Sequence, residues 1–176
     1  LKKLEGAQNA LCFSWGMAAI NTLLFTILRT GDRVILAKDL YSGTTNLCLK
    51  YKTKFHLDVE MIDLRDLEKI NYRSHTNMIF LESPSNPRIW LADIEALCRQ
   101  AHARGALVAL DNTFSTPLLQ NPLALGADFV VYSTTKIIAG HGSRGGGAIL
   151  FNNDRWLDEL REQRTILGSI QKPLDA

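Results

Sequence analysis

The sequence predicts an α/β domain in which a mostly parallel sheet is sandwiched by helices. Short runs of β-branched and aliphatic residues alternate with longer helical segments along the whole chain. These runs are almost continuously apolar, as expected for strands that are buried on both faces. The 176 residues contain no repeat, low-complexity segment or internal linker, and they suffice for one domain with its own core.

The first half of the chain predicts three helices and three strands. Residues 17–28 are expected to form a buried helix, because they are rich in alanine and leucine and apolar on most sides. Residues 57–62 alternate between polar and apolar, which favours a strand. The other segments of this half are a polar stretch at 1–6, an apolar run at 10–13, a strand at 33–37, a loop at 39–44, a helix that ends near Lys54, a short helix at 64–70 and a buried strand at 78–81.

The second half continues the alternation. Pro84 and Pro87 fix the backbone of a rigid loop at 82–87. Gly105 stops an amphipathic helix at 93–104, and the apolar strand that follows it ends at Asp111. The other elements of this half are a buried strand at 106–110, a helical turn at 122–125, strands at 128–131 and 147–151, and an amphipathic helix from Asp154 to about Leu167.

The composition argues against several classes of partner. The formal net charge is +2 and the basic residues are scattered, so neither nucleic acid nor an anionic membrane surface is expected to bind. No apolar run approaches the roughly 20 residues of a membrane span. Cys12, Cys48 and Cys98 are widely spaced, with no cysteine–histidine cluster, which predicts free thiols in a reducing compartment (the cytoplasm) and no metal site. The expected partner is a small molecule.

Polar residues recur at the points where the predicted strands end. In open parallel sheets, ligands bind beyond the carboxyl ends of the strands. The repeated placement of polar residues therefore indicates a site at the edge of the sheet where the strands end. The residues concerned are Tyr41, Glu82, Asn86, Asp111, Thr113, Ser133, Thr135 and Lys136.

Three of these positions have a chemistry that the sequence leaves open. Lys136 could hold a phosphate or form a Schiff base with a carbonyl cofactor, and the alternative is a solvated loop lysine. Asp111 needs a partner because a bare buried carboxylate is costly. That partner could be a protonated ring nitrogen, or Asp111 could cap a turn. The segment 14–16 leads into a buried helix and could bind an anion, or form a plain turn.

Several motifs in register resemble the cystathionine γ-synthase family, the pyridoxal-phosphate-dependent enzymes of Cys/Met metabolism (trans-sulfuration enzymes). The resemblance covers essentially the whole chain and implies the large, cofactor-binding domain of a fold-type I pyridoxal-phosphate transferase. The matching segments are 14–19, 41–44, 82–87, 111–117, 125–128, 133–136 and 140–141.

The resemblance also implies a role for each site residue. Lys136 would bind the cofactor covalently and move protons, and Tyr41 would stack on its ring and share in catalysis. Asp111 would keep the ring nitrogen protonated. The supporting roles fall to the Gly16 and Met17 amides with the Ser133 and Thr135 hydroxyls on the phosphate, Asn86 on the ring hydroxyl and Thr113 beside Asp111.

The sequence departs from the family pattern near the predicted site. Ile137 follows the lysine where the family usually has an aromatic residue, and 141–147 lacks the usual acid. Trp15 stands where the family has a small residue, and Ser42 stands for a glycine. Such changes could alter substrate choice or the grip on the cofactor.

Family members are longer than this chain, which begins with Leu1 and shows no signal peptide. Residues 1–176 are therefore expected to be the large domain, truncated at both ends. In the family, the missing N-terminal segment lends a tyrosine and an arginine to the phosphate of a neighbouring subunit. The missing C-terminal domain carries the arginine that binds the substrate carboxylate.

Two interpretations of function remain. The chain is an enzyme of sulfur amino-acid metabolism that eliminates or replaces a β- or γ-substituent, or it is a catalytically incomplete cofactor domain that serves as a fold or interaction module. A dinucleotide site is excluded because the glycines at 145–147 precede a strand rather than open a helix. Gly43 weakens a methionine γ-lyase assignment, since that group has a cysteine there. The family's tetramer of close dimers implies a homo-oligomer.

Overall fold

The computed structural model describes residues 1–72 and 76–173 and has the predicted α/β architecture. A single sheet contains seven strands in the order β1-β7-β6-β5-β4-β2-β3. The strands are β1 (Asn9–Phe13), β2 (Arg33–Ala37), β3 (Asp58–Ile62), β4 (Thr76–Glu82), β5 (Leu107–Asp111), β6 (Phe129–Tyr132) and β7 (Gly147–Phe151).

The sheet is mostly parallel, which confirms the prediction. The strands β3, β2, β4, β5 and β6 pair in parallel, whereas β7 is antiparallel to both β6 and β1. The sequence did not indicate this reversal, because a buried strand is apolar in either direction. The connection explains it: a parallel neighbour needs a long crossover, usually a helix, and only turns join β6 to β7. The apolar run at 10–13, left without a strand assignment, becomes the edge strand β1.

Six helices accompany the sheet in the described residues: α1 (Lys2–Glu5), α2 (Gly16–Ile27), α3 (Ser42–Phe55), α4 (Ile94–His102), α5 (Thr116–Leu119) and α6 (Leu157–Ile166). The helix expected at 64–70 is only one 3₁₀ turn, Leu67–Lys69, because its backbone hydrogen bonds, such as Lys69 N–H to the Asp66 carbonyl at 3.2 Å, span three residues rather than four. The segment 122–125 forms a hydrogen-bonded turn. The four-residue helices α1 and α5 were not predicted.

The sheet forms the centre of the core. Every residue of β2, β6 and β7 is buried, so both faces of these strands are covered. The helix α2 packs on β1, β6, β7 and α6, while α4 packs on β5. Within the described residues, no helix is both long and apolar enough to cross a membrane.

The strand directions bring the site-bearing segments to one edge. The parallel strands β2, β4, β5 and β6 end there, with Glu82 of β4 beside Asp111 of β5. Because β7 runs the other way, it begins at the same edge, where Gly147 pairs with Phe13 at the end of β1. The segments that follow β1 and β6 and the one that precedes β7 therefore meet beside the sheet.

Candidate active site

A cavity of about 560 Å³ opens at this edge of the sheet. Its wall contains all nine residues that the sequence singled out as site residues: Gly16, Met17, Tyr41, Asn86, Asp111, Thr113, Ser133, Thr135 and Lys136. Sequence reasoning gave no site role to four other residues of the wall: Trp15, Ile20, Glu82 and Phe114. Among the described residues, no cluster of His, Cys, Asp and Glu could hold a metal ion.

One end of the cavity suits an anion. The helix α2 begins at Gly16, and Trp15 at its N-cap makes no side-chain hydrogen bond to the first amides. These amides therefore remain donors at the positive end of the helix dipole. A Cβ on Gly16 would come 2.7 Å from Cβ of Ser133, so only glycine lets the helix approach that residue. The Thr135 hydroxyl, which accepts the Gly146 N–H at 2.8 Å and donates to the Gly146 carbonyl at 3.2 Å, lies on the same wall.

Asp111 supplies a carboxylate at the end of β5. Its Oδ1 accepts both the backbone N–H of Thr113, at 3.0 Å, and its hydroxyl, at 2.5 Å. No residue in the described part of the chain donates to Oδ2. Burial raises the pKa of Asp111, and the two Thr113 hydrogen bonds act against that shift. A cation at Oδ2 would stabilise the carboxylate, so the pocket suits a protonated ring nitrogen.

Thr113 joins two sides of the site. Its Oγ1, which donates to Asp111, also accepts the backbone N–H of Ser133 at 2.8 Å. One hydroxyl thus sets the position of the carboxylate and of the first residue after β6. Thr113 is buried, so water does not compete for these bonds.

Glu82 is a second buried acid on the wall, next to Asp111 in the sheet register. Its Oε2 accepts the backbone N–H of Tyr41 at 2.8 Å. Burial and then the charge of Asp111 raise the pKa of Glu82 to about 7, against the opposing effect of the Tyr41 N–H. The sequence placed Glu82 at the right edge but gave it no task. The signal was the same as for Asp111: an acid that ends an apolar strand.

Tyr41 precedes α3, and its ring is half exposed at the cavity. A Cβ on Gly43 would lie 2.5 Å from Cε1 of this ring and 3.0 Å from Sδ of Met17. Glycine at this position therefore leaves room for the ring beside Met17. The aromatic face is placed where it can stack on a planar ligand.

Lys136 lies in the turn after β6. Its backbone N–H donates to the Ser133 carbonyl at 3.2 Å, and its carbonyl accepts the Gly140 N–H at 3.0 Å. In the described part of the chain, no acidic or polar side chain binds its Nζ. The turn is thus fixed while the amine stays available to the cavity.

A second, buried set of polar groups lies behind this wall. The Tyr132 hydroxyl donates to the Glu5 carboxylate and accepts from Nδ2 of Asn112 at 2.7 Å. Burial raises the pKa of Glu5. Asn112 follows Asp111 directly, so this network supports the loop that carries the carboxylate. The sequence analysis missed Glu5, because nothing local in the polar segment 1–6 indicates burial.

The residues present fit pyridoxal phosphate. Gly16 and Ser133 make a cradle that a side chain would fill, Oδ2 of Asp111 faces no protein donor in the described residues, and an amine and an aromatic ring share the same cavity. These groups match the phosphate, the ring nitrogen, the aldehyde and the ring face of that cofactor.

Comparison with known proteins points the same way. The family model described as "Cys/Met metabolism PLP-dependent enzyme" matches residues 1–176. A probable cystathionine gamma-synthase of Herpetosiphon aurantiacus is 40% identical over 177 residues, which cover 99% of this chain and 55% of that protein. A cystathionine gamma-lyase of Dictyostelium discoideum is 36% identical over 97% of this chain and 44% of its own length. The chain spans about half the length of the curated relatives it matches.

Solved structures share the fold. The crystal structure of metB from Corynebacterium glutamicum superposes with a TM-score of 0.96 at 36% identity, covering 99% of this chain and 46% of that one. A methionine gamma lyase from Micromonospora echinospora, CalE6, gives a TM-score of 0.93 at 38% identity, over 98% and 47% of the two chains. Relatives with different named activities are thus about equally similar, so similarity alone does not select one activity.

Proposed function

Because the chain belongs to the family of pyridoxal-phosphate-dependent enzymes of Cys/Met metabolism, we propose that residues 1–176 are the cofactor-binding large domain of a trans-sulfuration enzyme. The cofactor of the family is pyridoxal 5'-phosphate. The proposed reaction is β- or γ-elimination, or γ-replacement, on cystathionine, homocysteine, cysteine or acylated homoserine. The proposal rests on one observation: Lys136, Asp111 and Tyr41 line the same cavity as Gly16, the first residue of α2.

Pyridoxal phosphate, when bound, supplies a carbonyl group for amines and a protonated ring that accepts electrons. In our proposal, Nζ of Lys136 would hold the cofactor at that carbonyl group and would move the substrate α-proton. Oδ2 of Asp111 accepts the ring N–H, and Thr113 orients the carboxylate through Oδ1. Tyr41 covers the ring face.

The remaining residues orient the cofactor. The Gly16 and Met17 amides and the Ser133 and Thr135 hydroxyls bind the phosphate at the start of α2. Asn86, which is half-buried on the cavity wall, would bind the ring hydroxyl.

Reduction of the bound cofactor tests the proposal. The purified chain with pyridoxal phosphate should develop a visible absorbance band, and borohydride should fix the cofactor onto Lys136. Lys136→Ala should lose the band and the label completely, since no other amine is on the wall in the described part of the chain. Lys50→Ala, at an exposed position of α3, is the matched control and should keep both.

An unlabelled but folded wild-type chain, or a label that Lys136→Ala retains, would contradict the proposed site. Trials with cystathionine and acylated homoserine then test turnover. The half-length coverage of the relatives favours a second candidate, a cofactor domain that is catalytically incomplete. Cofactor binding without turnover would support this second candidate, and turnover would exclude it.

We also propose that the chain forms a homo-oligomer in the cytoplasm. Two observations support this. The helices α1 and α5 are in contact and expose three leucines, and all three cysteines are free. The substrate is expected to be a small amino acid rather than a nucleic acid or membrane lipid.

A further inference from the structure

Trp15 occupies an unusual place for so large an apolar residue. It is the N-cap of α2, where a side chain that accepts hydrogen bonds is the common choice. Its side chain lines the cavity and is 57% exposed. A core-packing role does not account for that exposure.

The backbone next to β7 is shaped to accept this indole. A Cβ on Gly145 would lie 2.7 Å from Cη2 and 2.8 Å from Cζ2 of Trp15. A Cβ on Gly147 would lie 2.6 Å from the Trp15 carbonyl carbon. The Gly145 carbonyl also accepts a hydrogen bond from Nε2 of Gln171 at 2.9 Å, and this bond holds the backbone in place. The backbone at Gly145 and Gly147 thus forms the surface on which Trp15 packs (its seat), a role that the sequence did not indicate.

The position of the indole matters for the anion end. The donors there, the Gly16 and Met17 amides and the Ser133 and Thr135 hydroxyls, are all uncharged. Lys136 is the one cation on the wall within the described residues. Hydrogen bonds from neutral donors to an anion strengthen when water is excluded and the local dielectric falls. A serine at the N-cap would instead compete with the anion, because its hydroxyl accepts the same helix amides.

We propose that Trp15 is a cofactor-binding residue that covers the phosphate end of the cavity, with Gly145 setting the position of its ring. The inference rests on the proposed function, since it requires pyridoxal phosphate to occupy this cavity. It assigns part of the phosphate grip to a residue of this chain beyond the helix amides and the two hydroxyls.

Two ligands that differ only in the phosphate group test whether Trp15 acts at the phosphate end of the cavity. Dissociation constants of the 176-residue chain are measured by absorbance for pyridoxal phosphate and for pyridoxal, which lacks the phosphate. Trp15→Ala should weaken the binding of pyridoxal phosphate about tenfold, because the amides and hydroxyls that bind the phosphate become hydrated. The same change should alter the dissociation constant of pyridoxal less than about twofold. Trp15→Phe should keep most of the affinity, since it restores the cover. Trp90→Ala removes an indole outside this cavity and should change neither constant.

The seat is tested by a second pair. Gly145→Ala should weaken the binding of pyridoxal phosphate in the wild-type background, because the new methyl group displaces the Trp15 indole. The same change in the Trp15→Ala background should have no effect, since the ring it would displace is gone. Circular dichroism melts establish that each variant is folded.

The outcomes separate this inference from the proposed function. Unchanged affinity in Trp15→Ala, or an equal loss for both ligands, would overturn the role of Trp15 while the cofactor assignment stands. Equal effects of Gly145→Ala in both backgrounds would overturn the seat. A folded wild-type chain that binds no pyridoxal phosphate would overturn both the proposed function and this inference.

Discussion

Two carboxyl groups lie side by side at the ends of β4 and β5. Glu82 and Asp111 are cross-strand neighbours, and each is buried. Neither forms an ion pair with a basic side chain of the described residues. Glu82 binds the Tyr41 amide and Asp111 binds Thr113, so each acid positions a different part of the cavity. Their proximity makes full ionisation of both unfavourable in the chain without cofactor.

The pH dependence of stability follows from Glu82. Its pKa is about 7 in the folded chain, against an ordinary value of 4.5. Between pH 4.5 and about pH 7, Glu82 binds more protons in the folded state than in the unfolded state. The free energy of unfolding therefore falls as the pH rises through this range, and it stays at the lower value at higher pH. Glu82→Gln keeps an acceptor for the Tyr41 N–H but cannot ionise. It should therefore raise the free energy of unfolding at pH 8 by up to about 3 kcal/mol and change it little at pH 4.

Urea unfolding of the cofactor-free chain at several pH values measures this effect. Glu95→Gln is the matched control, since Glu95 is exposed and, within the described residues, forms an ion pair with Arg99 alone, on the same helix. A Glu82→Gln variant with the same pH slope as wild type would show that Glu82 does not titrate as proposed.

Within the sheet, Arg33 joins three neighbouring strands. Its guanidinium is fully buried at the start of β2 and pairs with Asp58, at 2.5 Å, and with Glu60 of β3. Its backbone N–H donates to Oδ1 of Asn77 on β4 at 3.1 Å. Among the described strands, β3 lies at the edge of the sheet and pairs with β2 alone, so these ion pairs add to the backbone hydrogen bonds that hold that edge.

Replacing Arg33 should therefore loosen β3. Arg33→Met keeps the apolar bulk but removes the ion pairs of Arg33 with Asp58 and Glu60. Because both acids are more than one-third exposed, the expected loss is about 2–3 kcal/mol, at or below the range for fully buried pairs. Chemical denaturation gives the loss, and hydrogen exchange should show faster exchange in Asp58–Ile62.

Arg99→Met, at an exposed pair on α4, should cost less than about 1 kcal/mol. Adding Glu60→Gln to Arg33→Met should recover part of the stability, because it removes a carboxylate that loses its ion-pair partner when Arg33 is replaced. A loss in Arg33→Met no larger than in Arg99→Met would contradict the anchoring role.

The strand β7 has a consequence for the site that its own sequence does not reveal. Its antiparallel direction starts the strand at the edge where the cavity opens, and so brings Gly145 and Gly147 against Trp15. A parallel β7 would have started at the opposite edge of the sheet. One strand reversal thus supplies the backbone against which Trp15, a residue of the cavity wall, packs.

At the scale of the whole molecule, an apolar patch remains outside the core. The helices α1 and α5 contact each other, and Leu4, Leu118 and Leu119 are 59%, 80% and 84% exposed. Exposed apolar residues that cluster in this way are typical of interaction surfaces. A second copy of the chain is the proposed partner of this surface.

Light scattering after size exclusion tests that proposal. The wild-type chain should run at a multiple of its single-chain mass, and Leu118→Ser with Leu119→Ser should shift it toward one chain. Ile166→Ser, which changes an apolar residue of α6 that is 66% exposed, should leave the mass unchanged. A wild-type chain that runs at single-chain mass would refute the oligomer for residues 1–176.

Local sequence patterns and motifs were enough to identify the fold class and nine of the thirteen residues that line the cavity. Strands such as β2 and β5 are recognisable from continuous apolar runs, and the motif at 133–136 is contiguous. Both signals are local, because periodicity and neighbouring side chains need no knowledge of the fold. The parallel sheet then implies where their polar ends meet.

Four features became visible only in the folded chain: the direction of β7, the bond between Glu82 and the Tyr41 amide, the burial of Glu5 and the packing of Trp15 on Gly145. Each joins residues that are far apart in the chain. Such contacts depend on strand order and close packing, which leave no pattern in any short window of sequence.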